Sequence, residues 1–229
     1  MPVRKILVPI DYSERSRIAM DYARHVADAL EGQVIVLHVI ADTRSEARWP
    51  AQRELETSLP DEMCTNKTRA VILAGDPAEN ILEFAAAEKV DLIVMGTHGY
   101  GPLGRAVHGS VTTAVLDRAD CPVLTGVRLE PRDDTFHMDR VVCSVNACVE
   151  SQVPGWASRM ATAFHANLYL DAGCDGQCGM TPEDVCGHAE ALKADLLVIG
   201  RKHPHGRWEQ HEEDAGAIIR EAPCAVLSV

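Results

Sequence analysis

Short apolar runs alternate along this chain with longer stretches whose apolar residues recur every third or fourth position. The first pattern reads as buried strand and the second as amphipathic helix. Strands are predicted at 5–10 and 33–40, separated by a helix at 13–30 that carries Ile18, Tyr22, Val26 and Ala29 on one face and is stopped by Gly32. Residues 41–67 are polar and contain Pro50 and Pro60, so only a short helix is expected there, at 51–59. A strand at 69–73, a helix at 78–89, a strand at 91–95, a helix at 110–118 and a strand at 122–127 complete the first half. This alternation predicts an α/β fold with a doubly wound parallel sheet and helices on both faces. Ligands of such sheets bind beyond the carboxyl ends of the strands, where the winding reverses.

The second half repeats the first. Arg4-Lys5-Ile6-Leu7-Val8 is echoed by Asp139-Arg140-Val141-Val142-Cys143, an offset of 135. The run from Ala87 to Gly96 is echoed from Ala191 to Gly200, an offset of 104. The second copy therefore lacks 31 residues, in the region that holds the third strand of the first. We expect two domains, 1–128 and 138–229, joined by a charged, proline-containing linker at 129–137, with an edge strand and a helix missing from the second.

The strand at 91–95 runs straight into Met95-Gly96-Thr97-His98-Gly99 and on to Gly109-Ser110-Val111-Thr112, where a helix begins. Glycines admit backbone N–H groups close to an anion, and a helix start adds unpaired donors and a favourable dipole. Ser110 is the expected cap of that helix. There is no G-x-G-x-x-G here and no Gly-Lys-Ser/Thr. The spacing Gly96-x2-Gly99-x9-Gly109-Ser110 instead resembles the ATP-binding signature of the universal stress protein family.

That resemblance covers the first half as a complete domain and makes the whole chain similar to a tandem member with one degenerate copy. It implies the adenine-nucleotide α-hydrolase-like sheet, with strand order 3-2-1-4-5. It also implies fifth strands that pair across a two-fold, so that the two domains form an intrachain pseudo-dimer, with a homodimer of chains as a further level. By the same resemblance Asp11 sits near the ribose and phosphates, and Val39 meets the adenine through its backbone. Met95, Gly96, His98 and Gly99 line the ribose and triphosphate, and Gly109, Ser110, Val111 and Thr112 hold the phosphates. Many relatives carry Arg where this chain has His98, which weakens the positive charge on the phosphates. In the second copy Asn146 replaces Asp11, Lys202 and His203 replace His98 and Gly99, and Glu213-Asp214 falls near the Gly109-Ser110 position. Carboxylates at a phosphate cradle repel the ligand, so one nucleotide site per chain is expected.

Composition narrows the partners. With 46% hydrophobic but only 4% aromatic residues, the interior is aliphatic. A net charge of −12 without a basic run argues against nucleic acid. No apolar stretch is long enough to span a membrane, and no signal peptide precedes the first strand, so a cytoplasmic location is expected. Eight cysteines are many for this length. Cys174, Cys178, Cys186 and His188 crowd into the second half among glycines, a set that could offer zinc its four S/N ligands. The alternatives are buried hydrophobic cysteines or a thiol redox sensor.

Three functional classes follow. The first is an ATP- (or ADP- or AMP-) binding stress-response and signalling module, with Mg as the counter-ion of the phosphates. In it the second domain has a pairing or regulatory role. The second class is a slow metal-dependent ATPase, for which Asp11 and His98 are the only candidate groups. The third is a structural partner with an empty site.

Overall fold

The structure, a computed structural model, describes residues 2–63, 67–96, 109–125, 136–145, 152–172, 181–200 and 209–229. The chain divides into two compact units, 1–96 with 109–123, and 97–108 with 124–229.

The first unit opens with β1 (Lys5–Ile10), α1 (Glu14–Leu30), β2 (Gln33–Ile40), α2 (Ser45–Ser58) and a short 3-10 turn at Asp61–Met63. It continues with β3 (Thr68–Ala74), α3 (Pro77–Glu88), β4 (Leu92–Val94) and α4 (Ser110–Arg118), and β5 (Val123–Thr125) begins at its last residue. The strand order is β3-β2-β1-β4-β5, with parallel pairing throughout the described ladders of this unit. Ile6, Leu7 and Val8 of β1 and Leu92, Ile93 and Val94 of β4 are all fully buried. Burying an aliphatic side chain of this size stabilises by roughly 1.5–3 kcal/mol, so the central strands anchor the unit.

Local chemistry explains most element ends. Ser13 caps α1 by accepting from the Ser16 amide, and Asp76 caps α3 by accepting from the Glu79 amide. Gly32 does not itself stop α1: Glu31 takes the left-handed conformation, at φ 56°, and the Gly32 amide reaches back to the Ala27 carbonyl. A Cβ at position 32 would make a tight contact, 3.3 Å from the Val3 carbonyl oxygen. The buried face of α1 runs through Ser16, Ala19, Met20, Ala23, Val26 and Ala27, which leaves the expected Ile18 and Ala29 on its flanks. The helix after β2 starts six residues earlier than the sequence suggests. Pro50 sits inside it and sacrifices one backbone bond without ending it, on a face that is exposed.

The second unit contains β6 (Arg140–Val145), α5 (Val153–Phe164), β7 (Asn167–Ala172), α6 (Pro182–Ala191), β8 (Leu196–Ile199), α7 (Glu209–Glu221) and β9 (Ala225–Ser228). Its strands run β9-β8-β6-β7, again parallel. Relative to the first unit, the strand that would lie outside β7 and its preceding helix are absent among the described residues. Leu168 and Leu170 of β7 are 37% and 64% exposed.

One anchoring device occurs in both units. The Asp91 carboxylate accepts from the amides of Arg4 and Lys5, at 2.7 and 2.9 Å, where β1 begins beside β4. The Asp195 carboxylate accepts from the amides of Asp139 and Arg140, at 2.8 and 2.9 Å, where β6 begins beside β8. Hydrogen bonds to a charged group contribute roughly 1.5–3 kcal/mol each, so these carboxylates hold their central strand pairs in register.

Candidate functional site

The winding of the first unit reverses between β1 and β4. Their ladder ends at Leu7↔Ile93, whereas β1 stays paired with β2 as far as Ile10↔His38. Past that point β1 and β4 part. Pro9, which has no N–H to give a ladder, lies in this unpaired portion of β1. A crevice at such a switch point is where open α/β sheets bind ligands.

Four segments supply its walls. Asp11 follows β1, and its carboxylate accepts from the Ser13 amide at 3.0 Å. Partial burial pushes its acidity down, but hydrogen bonds from the Ser13 hydroxyl and amide and from Ser16 outweigh that and hold the carboxyl below its usual range. Asp11 is therefore an anion at neutral pH. It suits a sugar hydroxyl or a metal-bound water and opposes direct contact with phosphate.

Val39 comes from β2. The Gln33 amide donates to Arg4 of β1, while the Val34 amide donates to Lys67 on the β3 side. Peptide groups of odd-numbered β2 residues thus face β1. Val39 is the first of them beyond the last β1–β2 pair; by this alternation its amide still pairs with Ile10, and its carbonyl is aimed past the end of β1.

Met95 and Gly96 follow β4, with Met95 buried. The reason for glycine at 96 differs from the one the sequence suggests. Among the described glycines only Gly75 has positive φ. A Cβ on Gly96 would instead lie 2.7 Å from the Arg15 carbonyl oxygen and 2.9 Å from its carbon. The first turn of α1 packs directly against the backbone at the end of β4.

The fourth wall is the start of α4. Gly109, not Ser110, is the N-cap, with φ −64° and ψ 151°, and as a glycine it supplies no capping side chain. The Thr113 amide bonds to the Gly109 carbonyl at 3.0 Å. The amides of Ser110, Val111 and Thr112 come before this bond and are left as donors at the positive end of the helix dipole. The Ser110 side chain is exposed, Val111 half-buried, and Thr112 is 3% exposed, so Thr112 can offer a ligand its amide but not its hydroxyl. At the other end Arg118 grips Glu79 of α3 through two hydrogen bonds of 2.6 and 2.9 Å, which fixes the helix on its neighbour.

Of the predicted nucleotide residues, Asp11, Val39, Met95, Gly96, Gly109, Ser110, Val111 and Thr112 all fall at this edge of the first unit. His98 and Gly99 lie outside the described residues, as do Cys174 and Cys178. Sequence reasoning missed Tyr12 and His38, which stand at the same strand ends. Their signal was weak: an aromatic residue between Asp11 and the Ser13 cap, and a histidine interrupting an aliphatic strand.

The second unit differs at the corresponding points. Glu213 and Asp214 were expected at the helix start, but they lie within α7, whose first residue is Glu209. A helix that begins a turn early bonds those amides internally, so the positions that are open donors in α4 are paired in α7, whose own open amides lie a turn earlier. Gly200 ends β8, and among the described residues a Cβ there would meet only Val153 Cγ2 at 3.6 Å.

The proposed zinc ligands Cys186 and His188 are not brought together. Cys186 is buried with Sγ 3.9 Å from the Ile218 carbonyl of α7, while His188, two positions along α6, lies on an exposed part of the helix. Residues two apart on a helix face different directions. No group of three or more metal-ligating side chains occurs among the described residues.

Burial pushes the Cys143 thiol up to about 11, and burial with the Glu221 charge does the same to Cys186. These thiols stay protonated in the folded chain while the unfolded chain ionises from about 9 upward. Folding stability is therefore unaffected by them below pH 9 and falls between pH 9 and about 11, as the unfolded state loses protons first. The urea midpoint should drop from pH 8 to pH 10.5, and by less in a Cys143→Ala/Cys186→Ala double variant. Equal drops in the two proteins would rule the thiols out.

Comparison with known proteins follows the same lines. The family model described as Universal stress protein family matches residues 2–126. A universal stress protein of Methanocaldococcus jannaschii is 33% identical over 136 residues, which cover 53% of this chain and 80% of that protein. A universal stress protein of Mycolicibacterium smegmatis is 25% identical over 98% of this chain and 85% of its own length. The crystal structure of a universal stress protein from Archaeoglobus fulgidus superposes with a TM-score of 0.77, covering 100% of this chain and 98% of its own at 17% identity. That last likeness concerns the fold alone.

Proposed function

This chain belongs to the universal stress protein family, and from that premise we propose that its first unit binds one adenine nucleotide at the switch point between β1 and β4. The observation that carries the reading is the uncapped start of α4. Three consecutive amides, left open because the N-cap residue Gly109 has no side chain to take them, begin α4. Ser110, Val111 and Thr112 hold the phosphates through those amides, and Gly109 keeps the approach open because it lacks a side chain. Asp11 receives a ribose hydroxyl, and the Val39 backbone meets the adenine edge. Met95 and Gly96 form the wall behind the ribose, and His98 with Gly99 closes the triphosphate. A magnesium ion on the phosphates would lie in the reach of the Asp11 charge and offset the repulsion from a chain of net charge −12.

We assign no nucleotide to the second unit, because the positions that give open amides in α4 are paired within α7. A binding and signalling role, rather than turnover, follows from the chemistry of the crevice. Asp11 is committed to Ser13 and Ser16, an arrangement that holds a ligand rather than one that activates water. No described helix is long and apolar enough to cross a membrane.

The test is native mass spectrometry of the intact chain with and without ATP and magnesium. A mass increase of one nucleotide per chain is expected. No bound species at millimolar ATP would overturn the reading, and two per chain would overturn the assignment of the second unit.

A further inference from the structure

None of the contacts assigned to the nucleotide so far offers a flat surface to its base. Tyr12 and His38 supply one at the ends of β1 and β2. Their rings lie 4.6 Å apart between centroids, tilted by 54°. His38 is the β2 residue opposite Ile10 in the last β1–β2 pair, and its Nδ1 lies 2.8 Å from the Ile10 carbonyl oxygen. A carbonyl can only accept, so Nδ1–H donates and the imidazole is pinned in one orientation. Tyr12 leans on that pinned ring. It is also one of few non-glycine residues with positive φ, 60°, and the Asp11–Ser13 turn holds it there. The left-handed conformation is unfavourable for a tyrosine, and such residues persist where the surroundings over-determine them. Despite that cost, the ring is 37% exposed rather than spent on the core. It adjoins Asp11 in sequence, and its ring partner His38 adjoins Val39, the residue whose carbonyl faces the crevice.

Resting on the nucleotide reading above, we propose that Tyr12 is the base-stacking residue of the site, with His38 as its positioning residue. The site then selects ligands by their aromatic base as well as by their phosphates. Base–aromatic stacks are sequence-tolerant, so Tyr12 sets how strongly a purine is held rather than which purine.

The test separates this role from folding. At φ 60° glycine is the favoured residue, so Tyr12→Gly relieves the backbone while removing the ring. Its melting temperature should match or exceed that of the unaltered protein. Calorimetric titration should show ATP affinity lower by about tenfold, within the range for one lost stack, while tripolyphosphate binds as before. Tyr12→Phe should retain ATP affinity. His38→Ala, which frees the tyrosine ring, should lose part of the ATP affinity and leave tripolyphosphate unchanged. Unaltered ATP affinity in Tyr12→Gly would overturn the stacking role and leave the nucleotide reading intact. An equal loss for tripolyphosphate would overturn it too, since the defect would then lie in the crevice as a whole. If the unaltered protein bound tripolyphosphate but not ATP, the nucleotide reading itself would fail.

Discussion

Gly96→Ala should lower the stability of this protein by about 2 kcal/mol, the middle of the range for overpacking a tight contact. The new methyl would sit 2.7 Å from the Arg15 carbonyl oxygen, closer than real Cβ contacts come, and what it meets is backbone rather than a side chain that could swing away. Either α1 retreats from β4 or the segment after β4 is pushed into the crevice, so nucleotide affinity should fall along with stability. The matched control is Gly200→Ala at the end of β8. There the methyl finds its nearest described neighbour at 3.6 Å, an ordinary van der Waals contact, and a change within about 0.5 kcal/mol is expected. Chemical denaturation of the two variants side by side decides the matter. Equal effects would mean that the α1–β4 approach is not the reason for glycine at 96.

Gly109→Asp should act in the opposite sense on the two properties. With φ −64° and ψ 151°, position 109 accepts any residue, and aspartate at an N-cap takes up the amides that follow. Stability should hold or rise by a few tenths of a kcal/mol, the usual gap between glycine and a good cap. Phosphate binding should collapse, because the carboxylate occupies the same donors and repels the ligand. A like charge about 4 Å away costs on the order of 4 kcal/mol at an effective dielectric constant of 20. Screening by magnesium and salt reduces that to roughly 2–3 kcal/mol, or about a hundredfold in affinity. ATP titration together with a thermal melt reads both quantities from one preparation. Unchanged affinity would show that the phosphates do not sit at α4.

The two substitutions mark where sequence reading succeeds and where it stops. The apolar runs that became β1 and β2, and the helix that became α4, have the bounds their patterns suggest, because burial on both faces of a parallel strand leaves little freedom in an aliphatic run. The motif and the family resemblance it carries name Asp11, Val39, Met95 and Gly109 as site residues. Spacing could not tell why Gly96 is glycine, since the cause is a backbone 81 positions upstream. Nor could it choose Gly109 over Ser110 as the cap of α4, because both are favoured there and one residue's shift decides which amides stay open. Pro50 misled in a different way: one missing hydrogen bond near the start of an exposed helix is a smaller penalty than a broken helix. Glu213 and Asp214 looked like the start of a helix, whereas they lie a turn inside α7. Tyr12 and His38 were invisible as a pair, because ring contacts between strand ends leave no periodic trace.

The outer rim of β7 bears on how the protein behaves in concentrated solution. Asn167 gives its amide to Asp139 on the β6 side, so by alternation the amides of Leu168 and Leu170 point away from β6. In the first unit the corresponding β2 amides are taken by β3; among the described residues β7 has no such neighbour. A strand with open donors and acceptors and two exposed leucines is a template for any extended chain it meets. Colloidal stability, rather than conformational stability, is then set at the one place where the second unit is a strand short.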